Sequence, residues 1–196
     1  MLLFPVALGG GVAIGLLRGG RLRSLASVRF RAGPVVGFAV ALQVLLGWTP
    51  AGTRFALVLV SYALIGAWLA VNALVPARGH GAPALRFALG VVAAGWALNV
   101  VVMALNGGMP VSRHALDAVG GADTDVEAGH LWKHVEADAG TRLPWLGDSI
   151  AVPFAPFRGV ISAGDVAMLT GVGLAVVAAM PPRPRRHPRA ELVVAG

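Results

Sequence analysis

The stretch FALGVVAAGWALNVVVMAL, residues 87–105, decides the fold class, because it carries no charge and its one strongly polar side chain is Asn99. An apolar helix of this length is long enough to cross the hydrocarbon core of a bilayer. Four further apolar stretches, each bounded by polar segments, cover residues 2–17, 35–48, 55–75 and 160–180. The alternation predicts an all-α integral membrane protein: a bundle of about five transmembrane helices with a long extracytoplasmic segment, residues 106–158, between helices four and five.

The composition agrees with a membrane protein and excludes several other classes. Hydrophobic residues make up 57% of the 196 residues and charged residues 13%, whereas a soluble domain carries about 25% charged residues. The chain contains no cysteine, which excludes disulfides, thiolate catalysis and cysteine-based metal sites. Since no phosphate-binding loop, nucleotide fingerprint or nucleophile elbow is present, the sequence predicts no cofactor.

The distribution of basic residues predicts the orientation. Eleven of the sixteen follow the first, third and fifth apolar stretches, and short basic loops stay in the cytoplasm. The N-terminus is therefore expected outside and the C-terminus inside, with residues 181–196 forming a disordered basic tail in the cytoplasm. The formal charge of +7 reflects this orientation and predicts contact with membrane lipid rather than with nucleic acid.

Small residues recur at every fourth position of the first apolar stretch, at Ala7, Gly11, Gly15 and Gly19. This spacing lets two helix backbones approach closely. It predicts a helix–helix contact, either within the chain or with a protein partner in a homo-oligomer; the alternative is the general small-residue packing of a glycine-rich membrane protein.

Asp165 is the one acidic residue inside a predicted span. Counted by helix rise, Asp165 and Asn99 both lie about 8–10 Å below the outer boundary, so we expect them to be hydrogen-bonded neighbours. Ser162 shares the helix face of Asp165. In the alternative interpretation, Ser162-Ala-Gly-Asp165 is the entrance of the fifth helix, where the helix dipole favours an acid.

The polar segment 106–158 opens with a sharp exit from the fourth helix, Asn106-Gly-Gly-Met109-Pro110. Ser112 predicts the cap of a short helix over 113–119, and the capping-box pattern at Thr124 predicts a second helix reaching 139. Four potential metal ligands share one face of that second helix: Glu127, His130, His134 and Asp138. The pattern fits either a zinc-type site or a solvated polar face; it lacks the glutamate that follows the first histidine in metallohydrolase helices.

The stretch from 141 to 157 is apolar and aromatic, but three prolines forbid a regular spanning helix. We expect it to lie in the outer membrane interface with Trp145 at headgroup level. It forms either the wall of a pocket between the outer helix ends or a loop that only covers the bundle.

Three motifs together resemble a known family. They are Asn106-Gly-Gly-Met-Pro-Val, Thr141-Arg-Leu-Pro-Trp-Leu-Gly-Asp148 and Val160-Ile-Ser-Ala-Gly-Asp165-Val, and the likeness covers about residues 1–180. The chain resembles the bacterial membrane proteins of domain-of-unknown-function family 5317, which implies a multi-pass protein of the bacterial inner membrane and carries no established reaction. The residues that match the family pattern are Asn106, Gly107, Gly108, Met109, Pro110, Leu143, Gly147, Asp148, Ser162, Gly164 and Asp165.

The leading hypothesis is a non-enzymatic membrane component that binds a partner protein, lipid or small amphiphile at its outer face, because no nucleophile–base pair is recognisable. The candidate binding residues are Asn99, Asn106, Met109, Pro110, Trp145, Asp148, Ser162 and Asp165. One alternative is an interfacial enzyme acting on a lipid-linked substrate with Asp148 and Asp165 as the acid–base pair. Another is an oligomeric transporter or channel subunit, which needs a polar path from Asp165 past Asn99 to Asn72 and Gln43.

Overall fold

A computed structural model describes residues 3–74, 82–120 and 134–182, and each of the five apolar stretches contains a helix. The helices are α1 (Leu3–Leu17), α2 (Gly33–Leu45), α3 (Ala51–Leu74), α4 (Ala82–Asn106), α5 (Arg113–Ala118) and α6 (Ala163–Ala179). Short 3-10 turns connect or follow them at Leu22–Ser27, Leu46–Trp48 and Pro144–Leu146.

Two of the described helices are long and apolar enough to cross a membrane, over Gly52–Leu74 and Pro83–Asn106. The other apolar helices, α1, α2 and α6, have 15, 13 and 17 residues. The protein is therefore mostly helical with two candidate membrane-spanning helices. The prediction of five transmembrane helices is not supported, because three of the five fall below the length that a straight span requires.

The prediction of an all-α fold is wrong, because four short strands form a mixed sheet. The strands are β1 (Met109–Val111), β2 (His134–Glu136), β3 (Asp148–Val152) and β4 (Gly159–Ser162), in the order β2-β1-β3-β4. Strand β1 runs parallel to β2 and β3, and β3 runs antiparallel to β4. Strands of three to five residues are too short to show the alternation that identifies a strand in a sequence.

The formation of the sheet overturns two predictions made from the sequence. The helix expected to reach residue 139 is wrong at His134–Glu136, which is extended because it pairs with β1; the start of that helix at Thr124 lies outside the described residues. The fifth apolar stretch begins as strand β4, so α6 starts at Ala163 rather than at residue 160.

The long helices pack in the order α1–α6–α4–α3–α2, and glycines allow α4 and α6 to touch through their backbones. A Cβ added to Gly171 would lie 2.6 Å from a methyl of Val92 and 2.8 Å from its backbone nitrogen. Near the sheet, a Cβ on Gly164 would collide with Asn99, and one on Gly95 would collide with the carbonyl of Gly164. The contact between α4 and α6 therefore excludes side chains at these positions.

The contact predicted by the small-residue spacing in α1 is made within the chain. Gly11 and Gly15 are buried, and a Cβ on Gly11 would lie 2.8 Å from the carbonyl oxygen of Gly173 on α6. A Cβ on Gly15 would lie 2.8 Å from the sulfur of Met180. Gly19 has open space around it and a φ of +82°, which places it in the turn after α1.

The two ends of the bundle differ in character. At one end, the loop after α1 carries arginines and is tied to α3, where the backbone N–H of Arg31 donates to the side chain of Asn72 at 2.8 Å. Arg86, at the start of α4, donates to a carbonyl at the end of α3 at 2.9 Å. At the other end the sheet covers the helices, and Met109 and Leu146 join a buried apolar cluster with Leu46, Val58, Val102 and Met103.

Candidate functional site

The junction of the sheet with the bundle holds a closed hydrogen-bond network of three side chains. Asn99 on α4 donates from Nδ2 to Asp165 Oδ1 at 2.9 Å, so the expected hydrogen bond between these residues is present. The Ser162 hydroxyl donates to Asn99 Oδ1 at 2.9 Å and accepts from the backbone N–H of Asp165. Asp165 Oδ2 accepts from the backbone N–H of Ser162 at 3.1 Å.

This network forms the N-terminal cap of α6. Ser162 is the N-cap residue and Asp165 the third residue of the helix, and together they make a capping box. Asp165 therefore lies in the first turn of α6. This agrees with the interpretation of Ser162-Ala-Gly-Asp165 as the entrance of the helix, and not with a position about 8–10 Å inside it. Asn99, Ser162 and Asp165 hydrogen-bond to one another. The network therefore connects α4 to the start of α6 as a structural joint.

Three of the other candidate residues hold the sheet against the bundle. Asn106 donates to the carbonyl of Arg142 at 2.9 Å and accepts from the backbone N–H of that residue at 2.8 Å. Met109 is 6% exposed and Pro110 is fully buried. A Cβ on Gly147 would collide with the carbonyl of Pro110, so glycine is required there. The first two family motifs are thus locked together through backbone contacts.

Asp148 differs from these residues because its carboxylate is buried without being satisfied. It begins β3, where it pairs with Val111 on one side and Ser162 on the other. Its side chain is 10% exposed, and Oδ2 lies 3.4 Å from Nε2 of His134, whose side chain is 27% exposed. Oδ1 of Asp148 and Nδ1 of His134 are both buried and have no hydrogen-bond partner among the residues that the structure describes.

The surroundings of Asp148 favour its protonated form. Burial raises the pKa of the Asp148 carboxyl above its ordinary value of 3.8; the hydrogen bond and the charge of His134 lower this pKa, and the charge of Asp165 raises it. Ser162 connects the two acidic residues, because it pairs with Asp148 in the sheet and caps α6 together with Asp165. Tyr62 on α3 packs against the apolar cluster beneath the sheet. A buried, unsatisfied carboxyl of this kind is typical of functional sites.

Exposed aromatic and apolar side chains surround this end of the molecule. Trp145 is 65% and Phe154 is 72% exposed, and both lie in the stretch that was expected to be irregular and interfacial. That stretch contains one turn of 3-10 helix and strand β3, so no regular helix forms in it.

Of the two histidines in the metal hypothesis, His134 belongs to the described residues. His130 lies outside the described residues, and His134 lies on a strand rather than on the predicted helix face. Within the described ranges, no group of three or more histidine or acidic side chains is arranged to hold a metal ion.

The polar residues that a transport path would need form separate groups in the described structure. Gln43 donates to the hydroxyl of Ser61 at 3.0 Å between α2 and α3. Asn72 donates to Arg31 and Trp68 carbonyls at the opposite end of the bundle from the sheet.

The contact between His134 and Asp148 was not apparent from the sequence. The sequence pattern groups His134 with His130 as metal candidates and Asp148 with Asp165 as an acid–base pair, and does not connect His134 with Asp148. Strand β1 separates their strands, so their proximity depends on a pairing between segments far apart in the chain. The one signal was compositional: a histidine and an aspartate in the same polar segment.

Fold and site together define a helical protein with two candidate membrane-spanning helices, closed at one end by a small mixed sheet over a buried acidic group. The chain belongs to the family of unknown function DUF5317, whose model matches residues 27–177. This confirms the resemblance carried by the three motifs. Comparisons with curated proteins and with solved structures gave no match.

Proposed function

We propose that this protein is a multi-pass component of the bacterial cell membrane that binds a lipid or small amphiphile at its extracytoplasmic, sheet-covered end. The observation that carries the proposal is the buried Asp148 carboxylate with its unpartnered Oδ1. A buried polar atom without a partner costs about 1–3 kcal/mol, more if charged. A protein that keeps such an atom beside exposed aromatic residues has the features of a binding site that is completed by its ligand.

The surface of the helices supports a lipid environment. The most apolar windows of α3 and α4 are only 22% and 39% buried within the protein, whereas the core helix of a soluble protein is mostly buried. Large apolar side chains point outward along every long helix, among them Ile14, Phe38, Val60, Val101 and Val166. Helices α1, α2 and α6 reach across a bilayer in this proposal with the help of flanking turns, strands and local thinning of the membrane.

The arrangement of the ends supports the orientation. Six described arginines belong to the loop after α1 or to the start of α4, at the end opposite the sheet: Arg18, Arg21, Arg23, Arg29, Arg31 and Arg86. With this end in the cytoplasm, the chain obeys the positive-inside rule. The sheet, Asp148 and Trp145 then face the extracytoplasmic side.

The chemistry of the site supports binding more directly than catalysis. Of the two carboxylates in the enzymatic hypothesis, Asp165 is engaged by Asn99 and by the backbone of Ser162. Burial raises the pKa of Asp148, and within the described residues Asp148 Oδ1 and His134 Nδ1 have no hydrogen-bond partner; both features suit proton transfer. An interfacial enzyme is therefore the second candidate, with Asp148 as the acid and His134 as its partner.

Native mass spectrometry of the full-length protein, extracted gently from its own membrane, tests the proposal. A stoichiometric extra mass of several hundred daltons is expected on the wild type and not on Asp148→Asn. The matched control is Asp117→Asn, a change of the same charge at an exposed position of α5. Wild-type protein without a retained small molecule, or equal retention by Asp148→Asn and the control, would refute the proposal. A reporter that is active only in the cytoplasm, fused to the C-terminus, tests the orientation.

A further inference from the structure

The loop between α1 and α2 is anchored to the helices at both of its ends, on the side of the molecule opposite the sheet. A Cβ added to Gly20 would collide with the backbone carbonyl of Met180, directly after α6. At the other end of the loop, the backbone N–H and carbonyl of Arg31 hydrogen-bond to the side chain of Asn72 on α3. We call residues 20–31, which run from the end of α6 to the end of α3, the basic loop.

The basic loop carries positive charge that nearby acidic residues do not balance. Four arginines belong to the loop, and Arg18 and Arg86 lie at the same end of the molecule. Aspartate and glutamate do not occur in the sequence of residues 1–116. Glu191, the one acidic residue that follows Asp165 in the chain, lies outside the described residues. Because arginine stays protonated throughout the physiological pH range, this charge is permanent.

Arg21 differs from the other arginines of the basic loop because its guanidinium group is partly withdrawn from water. Its Nε is buried and has no hydrogen-bond partner within the described residues, whereas the other three arginines of the loop are exposed. A positive charge attracts an anion more strongly where water screens it less. The planar guanidinium also presents paired N–H donors within one side chain, and these match two oxygens of a phosphate group.

We infer that Arg21 binds the phosphate of an anionic phospholipid, at a site separate from the amphiphile site proposed for the sheet end. Apolar side chains of the same loop favour a lipid as the source of the phosphate: Leu22 is 55% and Phe30 is 46% exposed, and such side chains enter the membrane interface beside basic residues. The charge of the loop selects among lipids, because the cation of a zwitterionic headgroup would be repelled by the neighbouring arginines. A free phosphate ion shares the same chemistry and is the second source.

The experiment reconstitutes the full chain in nanodiscs of phosphatidylcholine with a fixed fraction of phosphatidylglycerol, both with identical acyl chains. Retained lipid is counted by native mass spectrometry. We expect phosphatidylglycerol to be retained over phosphatidylcholine by about ten- to a hundredfold, as for hydrogen bonds to a charged group, and Arg21→Gln should abolish this preference. The matched control, Arg23→Gln, removes the same charge from an exposed position of the loop. It should lower the preference by no more than about fivefold, because an exposed arginine contributes only general attraction to an anionic surface.

Equal losses in Arg21→Gln and Arg23→Gln, or equal retention of the two lipids by the wild type, would refute the site. Arg21→Lys keeps the test decisive where Arg21→Gln fails to fold, because lysine keeps the charge and lacks the planar pair of donors. Its preference for phosphatidylglycerol should fall, and a wild-type preference would contradict the inference. Displacement of bound phosphatidylglycerol by millimolar inorganic phosphate would overturn the lipid as the source and assign Arg21 to soluble phosphate. The amphiphile proposal is tested by Asp148→Asn, so either can fail without the other.

Discussion

Replacing Gly164 by alanine is the sharpest test of the joint between α4 and α6. An added Cβ would overlap Oδ1 of Asn99 and lie 2.6 Å from the carbonyl oxygen of Gly95. Asn99 is a side chain and can rotate, but only by giving up its hydrogen bonds to Asp165 and Ser162. The carbonyl of Gly95 belongs to the α4 backbone and can give way only if the helix moves.

The magnitude follows from these contacts. The Gly95 carbonyl would be about 0.8 Å closer than the 3.4 Å of an ordinary contact, and overpacking of this kind costs about 1–3 kcal/mol. Two side-chain hydrogen bonds between helices add about 0.6 kcal/mol each in a membrane protein. Gly164→Ala should therefore lower the free energy of unfolding by about 2–4 kcal/mol, or the melting temperature by about 5–15 °C for a chain of this size.

Thermal unfolding in detergent or nanodiscs measures the effect. The matched control is Gly90→Ala in α4, where an added Cβ meets nothing within 4 Å. Because alanine is the better helix former, the control should leave stability unchanged or raise it by up to about 1 kcal/mol. A Gly164→Ala protein that melts together with the Gly90→Ala control would refute the backbone contact between α4 and α6.

A double variant identifies which contact is responsible. Asn99→Ala removes the side chain that the new Cβ would overlap and leaves the Gly95 carbonyl in place. In that background Gly164→Ala should cost less than in the wild type, because the hydrogen bonds of Asn99 are already lost. Strictly additive costs would show that Asn99 does not pack against Gly164.

Three further predictions concern the sheet end. Asn106→Ala removes the hydrogen bonds that hold Arg142 to the end of α4 and should lower the free energy of unfolding by about 1–3 kcal/mol. Backbone amides from 139 to 147 should then exchange faster, and unchanged exchange would show that these hydrogen bonds do not hold the segment in place. Burial raises the pKa of Asp148 in the folded protein, so its contribution to stability is largest at low pH and is lost as the pH rises from 3.8 through the folded pKa. Relative to the wild type, Asp148→Asn should therefore gain stability as the pH increases, and parallel melting profiles between about pH 4 and pH 8 would contradict this. Trp145→Phe should remove a large part of the fluorescence quenching by lipids brominated near the headgroup; equal quenching would place Trp145 outside the interface.

The structure explains why particular residues occur in the family motifs. In Ser162-Ala-Gly164-Asp165, the serine and the aspartate form the capping box, and the glycine admits Asn99 and the backbone of α4. In the motif around residues 141–148, Gly147 is needed because its Cα faces the Pro110 carbonyl. Most of the residues that match the family pattern therefore maintain the joint between sheet and bundle. Asp148 differs from them because its Oδ1 has no hydrogen-bond partner within the described residues.

Local signals were sufficient for much of the helical architecture. The apolar stretches contain α1, α2, α3, α4 and α6 because each helix forms hydrogen bonds within its own segment. The four-residue spacing of Gly11 and Gly15 indicated a close helix contact, and the structure makes it with α6. The helix rise per residue predicted that Asn99 and Asp165 lie at the same depth, and the hydrogen bond between them is present.

The sheet and the buried acidic group could not be derived in the same way. Pairing of Met109 with His134 and of Val111 with Asp148 joins segments separated by more than twenty residues, and strands this short leave no periodic pattern in the sequence. The sequence by itself determined where the five apolar helices form and which connecting segments carry most of the arginines, because those properties depend on neighbouring residues. Only the tertiary structure decided that Asp165 is satisfied in a cap while Asp148 lies buried beside His134, because burial and hydrogen-bond partners are set by which distant segments meet.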